Sequence, residues 1–205
     1  MSKAVYNMSY SFFALLFRQK YIKRWGLMRS VTPETLSDHT TEVAFVAHAL
    51  ANIGNKIYNK SYDPDRTAVL ALFHDVTEVY TGDMPTPVKY FSGRMRSDYA
   101  EIEKNAAETL ISKLPEEFRE DYSSLLIADG KSESDIELHK LVKAADKLCA
   151  YIKCVTEENS GNPEFASAKK SIASELERMD CPELKYFMEQ FLPSFSLTID
   201  EMQSL

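Results

Sequence analysis

The sequence predicts an all-α fold, on three observations. Apolar residues recur at helical spacing along most of the chain. No alternating run is long enough to form a strand. No internal repeat or low-complexity linker divides the 205 residues, 44% of which are hydrophobic, so they fit one globular domain with a sizeable core.

The elements follow in order. Phe12, Phe13, Leu16 and Phe17 define a first helix running to about Lys20. Trp25 to Thr35 is a connector containing Gly26 and Pro33. Ser37 or Asp38 then caps a helix carrying Val43, Val46, Ala47 and Leu50. Asn52 to Asp65 reads as a polar loop, and Asp63 or Asp65 caps the next helix. That helix holds Ala68, Leu72, Phe73 and Val76 and is expected to end near Gly82. Asp83-Met84-Pro85-Thr86-Pro87 cannot be helical throughout, because a residue before proline is pushed towards extended geometry. Arg94 to Leu114 is another helix, and Pro115 opens a further short one in its first turn. Ser132 or Ser134 starts a long helix containing Leu138, Leu141, Val142, Ala145, Leu148 and Ile152. Gly161-Asn162-Pro163 breaks it, and two more helices complete the bundle.

Composition excludes several functions. Lys and Arg number 24 against 31 Asp and Glu, a net charge of −7. A polymeric nucleic acid normally needs a basic surface, whereas one small phosphorylated ligand needs only a local cationic cluster. Three cysteines do not make a disulfide framework, so Cys149 and Cys154 read as reduced residues of a cytoplasmic protein. The apolar run Phe12 to Phe17 is too short to span a membrane and lacks a signal-peptide cleavage site.

His74-Asp75 is the most informative pair. Imidazole and carboxylate together suit a divalent metal, and burying both is costly unless something compensates. On a helix the two point about 100° apart and still converge on an ion off the surface. Glu78 lies at i+4 from His74 and i+3 from Asp75, on the same side, as either a solvated charge or a proton-handling group. Asp146 sits beside an apolar stripe of Val142, Cys149 and Ala150, where a carboxylate needs a partner. That partner is a metal, or else Lys143, Lys147 or Lys153 in an ion pair. His39 begins a helix in Ser-Asp-His-Thr-Thr-Glu, as a helix-start histidine or a ligand. His48 and His139 lack carboxylate companions and read as structural. On their own, Arg24 reads as a solvated basic turn, Trp25 as core, Thr86 as a turn residue and Lys89 as a surface charge.

His39, His74-Asp75 and Asp146 in Lys-Ala-Ala-Asp-Lys-Leu-Cys-Ala-Tyr resemble the H…HD…D signature of HD-domain metal phosphohydrolases. Lys-Arg-Trp-Gly-Leu-Met-Arg, Phe-His-Asp-Val-Thr-Glu-Val-Tyr-Thr-Gly-Asp-Met-Pro-Thr-Pro and Phe-Leu-Pro-Ser-Phe extend the likeness to the bacterial YfbR-type 5'-deoxynucleotidases, over nearly the whole chain. The resemblance implies a single HD-domain helical bundle across residues 1–205 that assembles as a homodimer. It implies hydrolysis of deoxyribonucleoside 5'-monophosphates with one divalent metal per subunit, Co2+, Mn2+ or Mg2+. Carried over by residue, His39, His74, Asp75 and Asp146 bind the metal and Glu78 is catalytic. Arg24, Trp25, His39, Asp83, Met84, Pro85, Thr86 and Asp146 meet the substrate. Gly26 stands where the family often has proline, and Met84 where it often has leucine.

The chemistry agrees with these roles. Two imidazoles and two carboxylates leave positions open on an octahedral ion for phosphate and water. Arg24 offers a planar, always charged fork to phosphate. Trp25 can crowd out a 2'-hydroxyl, and Asp83 can accept a hydrogen bond from a 3'-hydroxyl. Two other functions compete. An HD hydrolase of a triphosphate, cyclic dinucleotide or alarmone would need more basic residues than Arg24 and Lys89. A non-catalytic nucleotide sensor would be favoured by loss of Glu78 or a ligand, and all are present.

Overall fold

The computed structural model describes residues 10–89, 91–127 and 133–204. Among them the fold is all helical, and the only β pairing is one antiparallel bridge between Lys23 and Thr35. No described helix is long and apolar enough to cross a membrane.

Helix α1 (Phe12–Leu16) is shorter than expected and continues as a 3-10 turn over Phe17–Tyr21. The tighter turn carries Gln19 inward, where its amide oxygen accepts from Thr40 Oγ1 at 3.2 Å. Helix α2 (Leu36–Ile57) is capped by Thr35, two or three residues before the expected Ser37 or Asp38. Thr35 Oγ1 accepts from Asp38 N, and Asp38 Oδ2 accepts from Thr35 N, so Asp38 completes a reciprocal capping box rather than capping alone. The helix also runs on through Asn52–Ile57, where a loop was expected. Gly54 is there for space rather than for a turn, because a Cβ at that position would lie 2.5 Å from the Tyr62 ring.

Helix α3 (Pro64–Phe73) is capped by Asp63 with Pro64 in its first turn. It stops at Phe73, well before the expected Gly82. In a continued helix the Ala71 carbonyl would accept from Asp75 N. Here it accepts from His74 Nδ1 at 2.7 Å and His74 N at 3.4 Å. The chain passes through tight i→i+3 turns into the one-turn helix α4 (Glu78–Thr81), which Gly82 ends at φ +71°. Gly82 to Pro85 are non-helical, and Thr86 opens the one-turn helix α5 (Thr86–Lys89).

Ser92 caps helix α6 (Gly93–Ile111), whose expected end at Leu114 is finished by i→i+3 bonds. Pro115 is extended at φ −52°, ψ 150°, just outside a 3-10 turn (Glu116–Phe118) that leads into α7 (Arg119–Leu126). Helix α8 (Glu133–Asn159) places Ser134 in its first turn, and Ser132 falls outside the described residues. Gly161 at φ +76° and the Asn162 cap break the chain as expected. Helices α9 (Ala166–Glu177) and α10 (Pro182–Gln190) follow, with one further turn, α11 (Ile199–Gln203).

Helices α2, α3 and α8 form the centre, sharing a core that includes Leu50, Leu70 and Leu148 and is closed by Phe165, Leu176 and Leu184. Each such side chain contributes roughly 1.5–3 kcal/mol on burial. A second cluster joins Phe12, Val76, Leu110 and Leu114. Val76 anchors the turn that carries His74 and Asp75, so the break in α3 is held from below.

Candidate active site

The three central helices bring the site together. The first turn of α2 supplies His39, the end of α3 supplies His74 and Asp75, and the middle of α8 supplies Asp146. One ligand atom each from His39, His74 and Asp146 lies within 4.8 Å of the others. Asp75 reaches the same centre, its Oδ2 3.0 Å from His74 Nε2 and 4.0 Å from His39 Nε2. The ion-pair alternative for Asp146 does not occur: it meets His39 Nε2 at 3.0 Å, while Lys147 pairs with Glu175 and Lys153 with Glu157.

Both imidazoles turn Nε2 to the centre. His74 Nδ1 must carry a proton, since its partner, the Ala71 carbonyl, only accepts. His74 Nε2 is buried near Asp75 without hydrogen-bond alignment. Inward Nε2 atoms suit a metal-binding histidine, which ligates once Nε2 has given up its proton. The donor set therefore fits a divalent cation. Burial opposes charge on His74, but Asp75 and then Asp146 outweigh it and raise the imidazole to about 9. Burial likewise opposes ionisation of the two aspartates. The His74 charge holds Asp75 down, and the His39 hydrogen bond followed by His74 holds Asp146 down.

Glu78 opens α4 and is buried, with Oε2 lacking a hydrogen-bond partner. Burial, then Asp75, then Asp83 push its carboxyl up to about 8, with Arg24 and Lys89 opposing. Arg24 is 11% exposed, so it is no solvated turn residue; its Nη1 lies 3.8 Å from Asp75 Oδ2. Trp25 is half-buried and edge-on to Phe165, with ring centroids 5.2 Å apart. Its backbone is left-handed at φ +59°, a conformation that costs a non-glycine residue about 1–3 kcal/mol. Asp83 Oδ2 accepts its N–H at 3.1 Å.

Met84 and Pro85 are half-buried on the segment after Asp83, and Thr86 is exposed. Among the described residues no hydrogen bond or ion pair joins these three to the donor cluster. Lys89 pairs with Glu103 at 2.8 Å and lies over the Tyr99 ring. His48 is exposed against Asn52, and, contrary to the expectation of no carboxylate companion, its Nε2 lies 3.9 Å from Asp65 Oδ1.

Two carboxylates escaped the sequence reading. Glu34 sits behind Arg24, Trp25 and His39. Glu157, on α8, accepts from Val31 N and Thr32 N in the loop leading to Glu34. Glu34 gives no signal in a Thr-Pro-Glu turn. Glu157 gives a faint one, at i+4 from Lys153 on a helix with a buried face.

The YfbR-like 5'-deoxynucleotidase family model matches residues 11–195. The chain belongs to this family. A 5'-deoxynucleotidase of Vibrio parahaemolyticus is 49% identical over 191 residues, covering 93% of this chain and 97% of that one. Among solved structures, an HD-domain phosphohydrolase of Listeria innocua superposes with a TM-score of 0.76 at 23% identity, covering 94% of this chain and 92% of that one. A cyanophage S-2L HD phosphohydrolase, solved with dA and one catalytic Zn2+ ion, gives 0.61 at 17% identity, covering 97% and 99%. The all-α HD fold of the YfbR-like family is thus the fold of this chain.

Proposed function

We propose that this chain is a metal-dependent 5'-deoxynucleotidase, which splits deoxyribonucleoside 5'-monophosphates into deoxyribonucleosides and phosphate. Arg24 carries the reading: a nearly buried guanidinium, 3.8 Å from Asp75, sets a fixed cation beside the donor cluster. That is the arrangement a phosphomonoester needs. The 49% identical relative bearing the same activity in its name supports the substrate class.

His39, His74, Asp75 and Asp146 would hold one divalent cation per subunit. When bound, that cation offsets phosphate charge and acidifies water. Co2+, Mn2+ and Mg2+ suit the donors, and the Zn2+ of the cyanophage protein adds a fourth candidate. Arg24 orients the phosphate through the Nη edge, because its Nε is committed to Glu34. Water adds its oxygen to phosphorus as the bond to the sugar 5'-oxygen breaks. A carboxyl held up to about 8 carries a proton at neutral pH, so Glu78 supplies that proton to the departing oxygen, and the proton that the water loses restores it.

Trp25 walls the sugar where a ribonucleotide carries its 2'-hydroxyl. Asp83 would accept the 3'-hydroxyl, with Met84, Pro85 and Thr86 continuing the substrate loop and His39 and Asp146 bordering the phosphate. We assign residues 1–205 to one HD domain, in a cytoplasmic homodimer. Exposed Phe45, Val69 and Leu72 on α2 and α3 support a subunit contact.

The test is a phosphate-release assay on paired ribo- and deoxyribonucleoside monophosphates with each metal. Release chiefly from the deoxy series is expected. Turnover confined to triphosphates, cyclic dinucleotides or alarmones would refute the reading, as would tight nucleotide binding with no turnover under any metal.

A further inference from the structure

Glu34 touches three members of the site and sits behind all of them. It is 9% exposed, on the return leg of the loop whose outgoing leg holds Arg24. The two legs are tied by backbone bonds, Arg24 N to Glu34 O at 3.0 Å and Leu36 N to Ile22 O at 2.9 Å. The two carboxylate oxygens divide the work. Oε1 accepts from Arg24 Nε at 2.9 Å and lies 3.5 Å from His39 Nδ1. Oε2 accepts from the Trp25 indole Nε1 at 3.2 Å.

We propose that Glu34 is a positioning residue that sets the discrimination between deoxyribose and ribose by fixing the Trp25 indole, while its other oxygen holds the Arg24 guanidinium. The proposal rests on the deoxynucleotidase reading given above. A missing hydroxyl offers nothing to attract, so a site selects deoxyribose by crowding the 2' position. Crowding rejects a ribonucleotide only as firmly as the wall resists displacement. The Trp25 wall is restrained at both ends: Asp83 holds its strained backbone and Glu34 holds its indole. Arg24 is restrained in the same way, its Nε taken by Glu34 while Nη1 faces the cluster. The sugar wall and the phosphate fork are therefore set in register by one carboxylate. If Glu34 is lost, the indole can swing aside, and the 2'-hydroxyl finds room.

Two variants test this. Gln at position 34 keeps the volume but offers one oxygen to two donors, and Ala removes both acceptors. The first readout is the ratio of kcat/KM for a deoxyribonucleoside monophosphate to that for its ribo counterpart, at saturating metal. E34Q and E34A should lower this ratio by about ten-fold or more, equal to about 1.4 kcal/mol. The second readout needs no turnover. Trp25 is the only tryptophan of the chain, so its fluorescence reports on the indole alone. In E34Q, acrylamide quenching should rise about two-fold or more and nanosecond anisotropy should fall, as for any exposed side chain freed to hop rotamers. A third comparison isolates the route: in a W25L background, adding E34Q should leave the sugar ratio unchanged.

A wild-type enzyme that discriminates, with variants that keep its ratio and its quenching, would overturn the proposal and leave the deoxynucleotidase reading standing. A ratio that falls equally in the W25L background would also overturn it, since the effect would not pass through the indole. A wild-type enzyme that hydrolyses no nucleoside monophosphate would remove the deoxynucleotidase reading, and the proposal with it.

Discussion

Replacing Glu157 by alanine should cost the fold roughly 3–5 kcal/mol, the usual consequence of stranding a buried charge. Glu157 is 0% exposed and Lys153 only 7%. One carboxylate oxygen accepts from Lys153 Nζ and from Thr32 N at 3.0 Å. The other accepts from Val31 N at 2.8 Å and Asn162 Nδ2 at 2.7 Å. Alanine leaves the Lys153 ammonium with the Thr32 carbonyl as its remaining hydrogen-bond acceptor and no counter-charge from Glu157. Val31 and Thr32 lie at the surface, so water can reach their amides, and the stranded lysine dominates the loss. For a domain of this size the loss should lower Tm by roughly 6–20 °C. A urea titration at neutral pH and fixed metal concentration measures it directly. Pairing K153M with E157Q should recover at least half, because no charge is then stranded. Acid titration adds a signature. Burial raises the Glu157 carboxyl, but Lys153, Val31 N, Asn162 and Thr32 N outweigh it and hold it at about 2, below its ordinary 4.5. As pH falls the unfolded chain takes up this proton first. The contribution is thus complete above pH 4.5 and is lost as pH falls towards 2. The alanine variant should lack that limb. A loss under about 1 kcal/mol, the level of an exposed ion pair, would refute the buried clamp.

Four further outcomes are expected. Glu78→Ala should retain metal by elemental analysis but lose turnover by about 100-fold or more, and near-wild-type phosphate release would sink its proton role. Metal binding should release about one proton and tighten as pH rises towards 9, because His74 must give up its Nε2 proton to bind. In the metal-stripped protein, the same raised imidazole adds stability fully below its ordinary 6.5 and loses it as pH rises through about 9. Calorimetry in buffers of different ionisation enthalpy reads the proton count, and a count near zero would refute the His74 assignment. Gly54→Ala should destabilise by about 1–3 kcal/mol through its clash with Tyr62, despite a helix-propensity gain of about 1 kcal/mol. A net rise in Tm would mean that the ring gives way freely.

The bundle and the cluster of candidate donors were legible in the sequence for different reasons. Helical periodicity reports burial of one face, and α2, α3 and α8 bury continuous apolar stripes. The donors were readable because imidazole beside carboxylate is costly in an apolar run without a shared purpose. Helix ends were less legible. Thr35 rather than Ser37 or Asp38 caps α2, because the box needs its acidic member three residues inside. The stop at Phe73 was hidden because i→i+3 turns keep nearly the same apolar spacing as an α-helix. His74 itself makes the stop by capturing the Ala71 carbonyl, an event that depends on ring orientation.

Glu34 was invisible and Glu157 nearly so, for a deeper reason. A glutamate in a polar loop or near a helix end has the same local pattern whether water or protein satisfies it. What distinguishes these two is the set of donors that distant segments bring to them. Glu157 gathers Val31 N, Thr32 N and Asn162, and so pins the loop from α8. The Lys23–Thr35 bridge closes that loop, and Asp83 holds Trp25 across from it. The left-handed Trp25 is thus over-determined by three separate attachments, the condition under which backbone strain persists. Loosening any one should relax the tryptophan before it disturbs the candidate metal donors, which lie on or at the ends of the three central helices. Under the proposed function, selectivity for the sugar rests on the loop and capacity for the metal on the central helices, with Glu34 touching both through Trp25 and His39, so loop substitutions away from Glu34 should separate them.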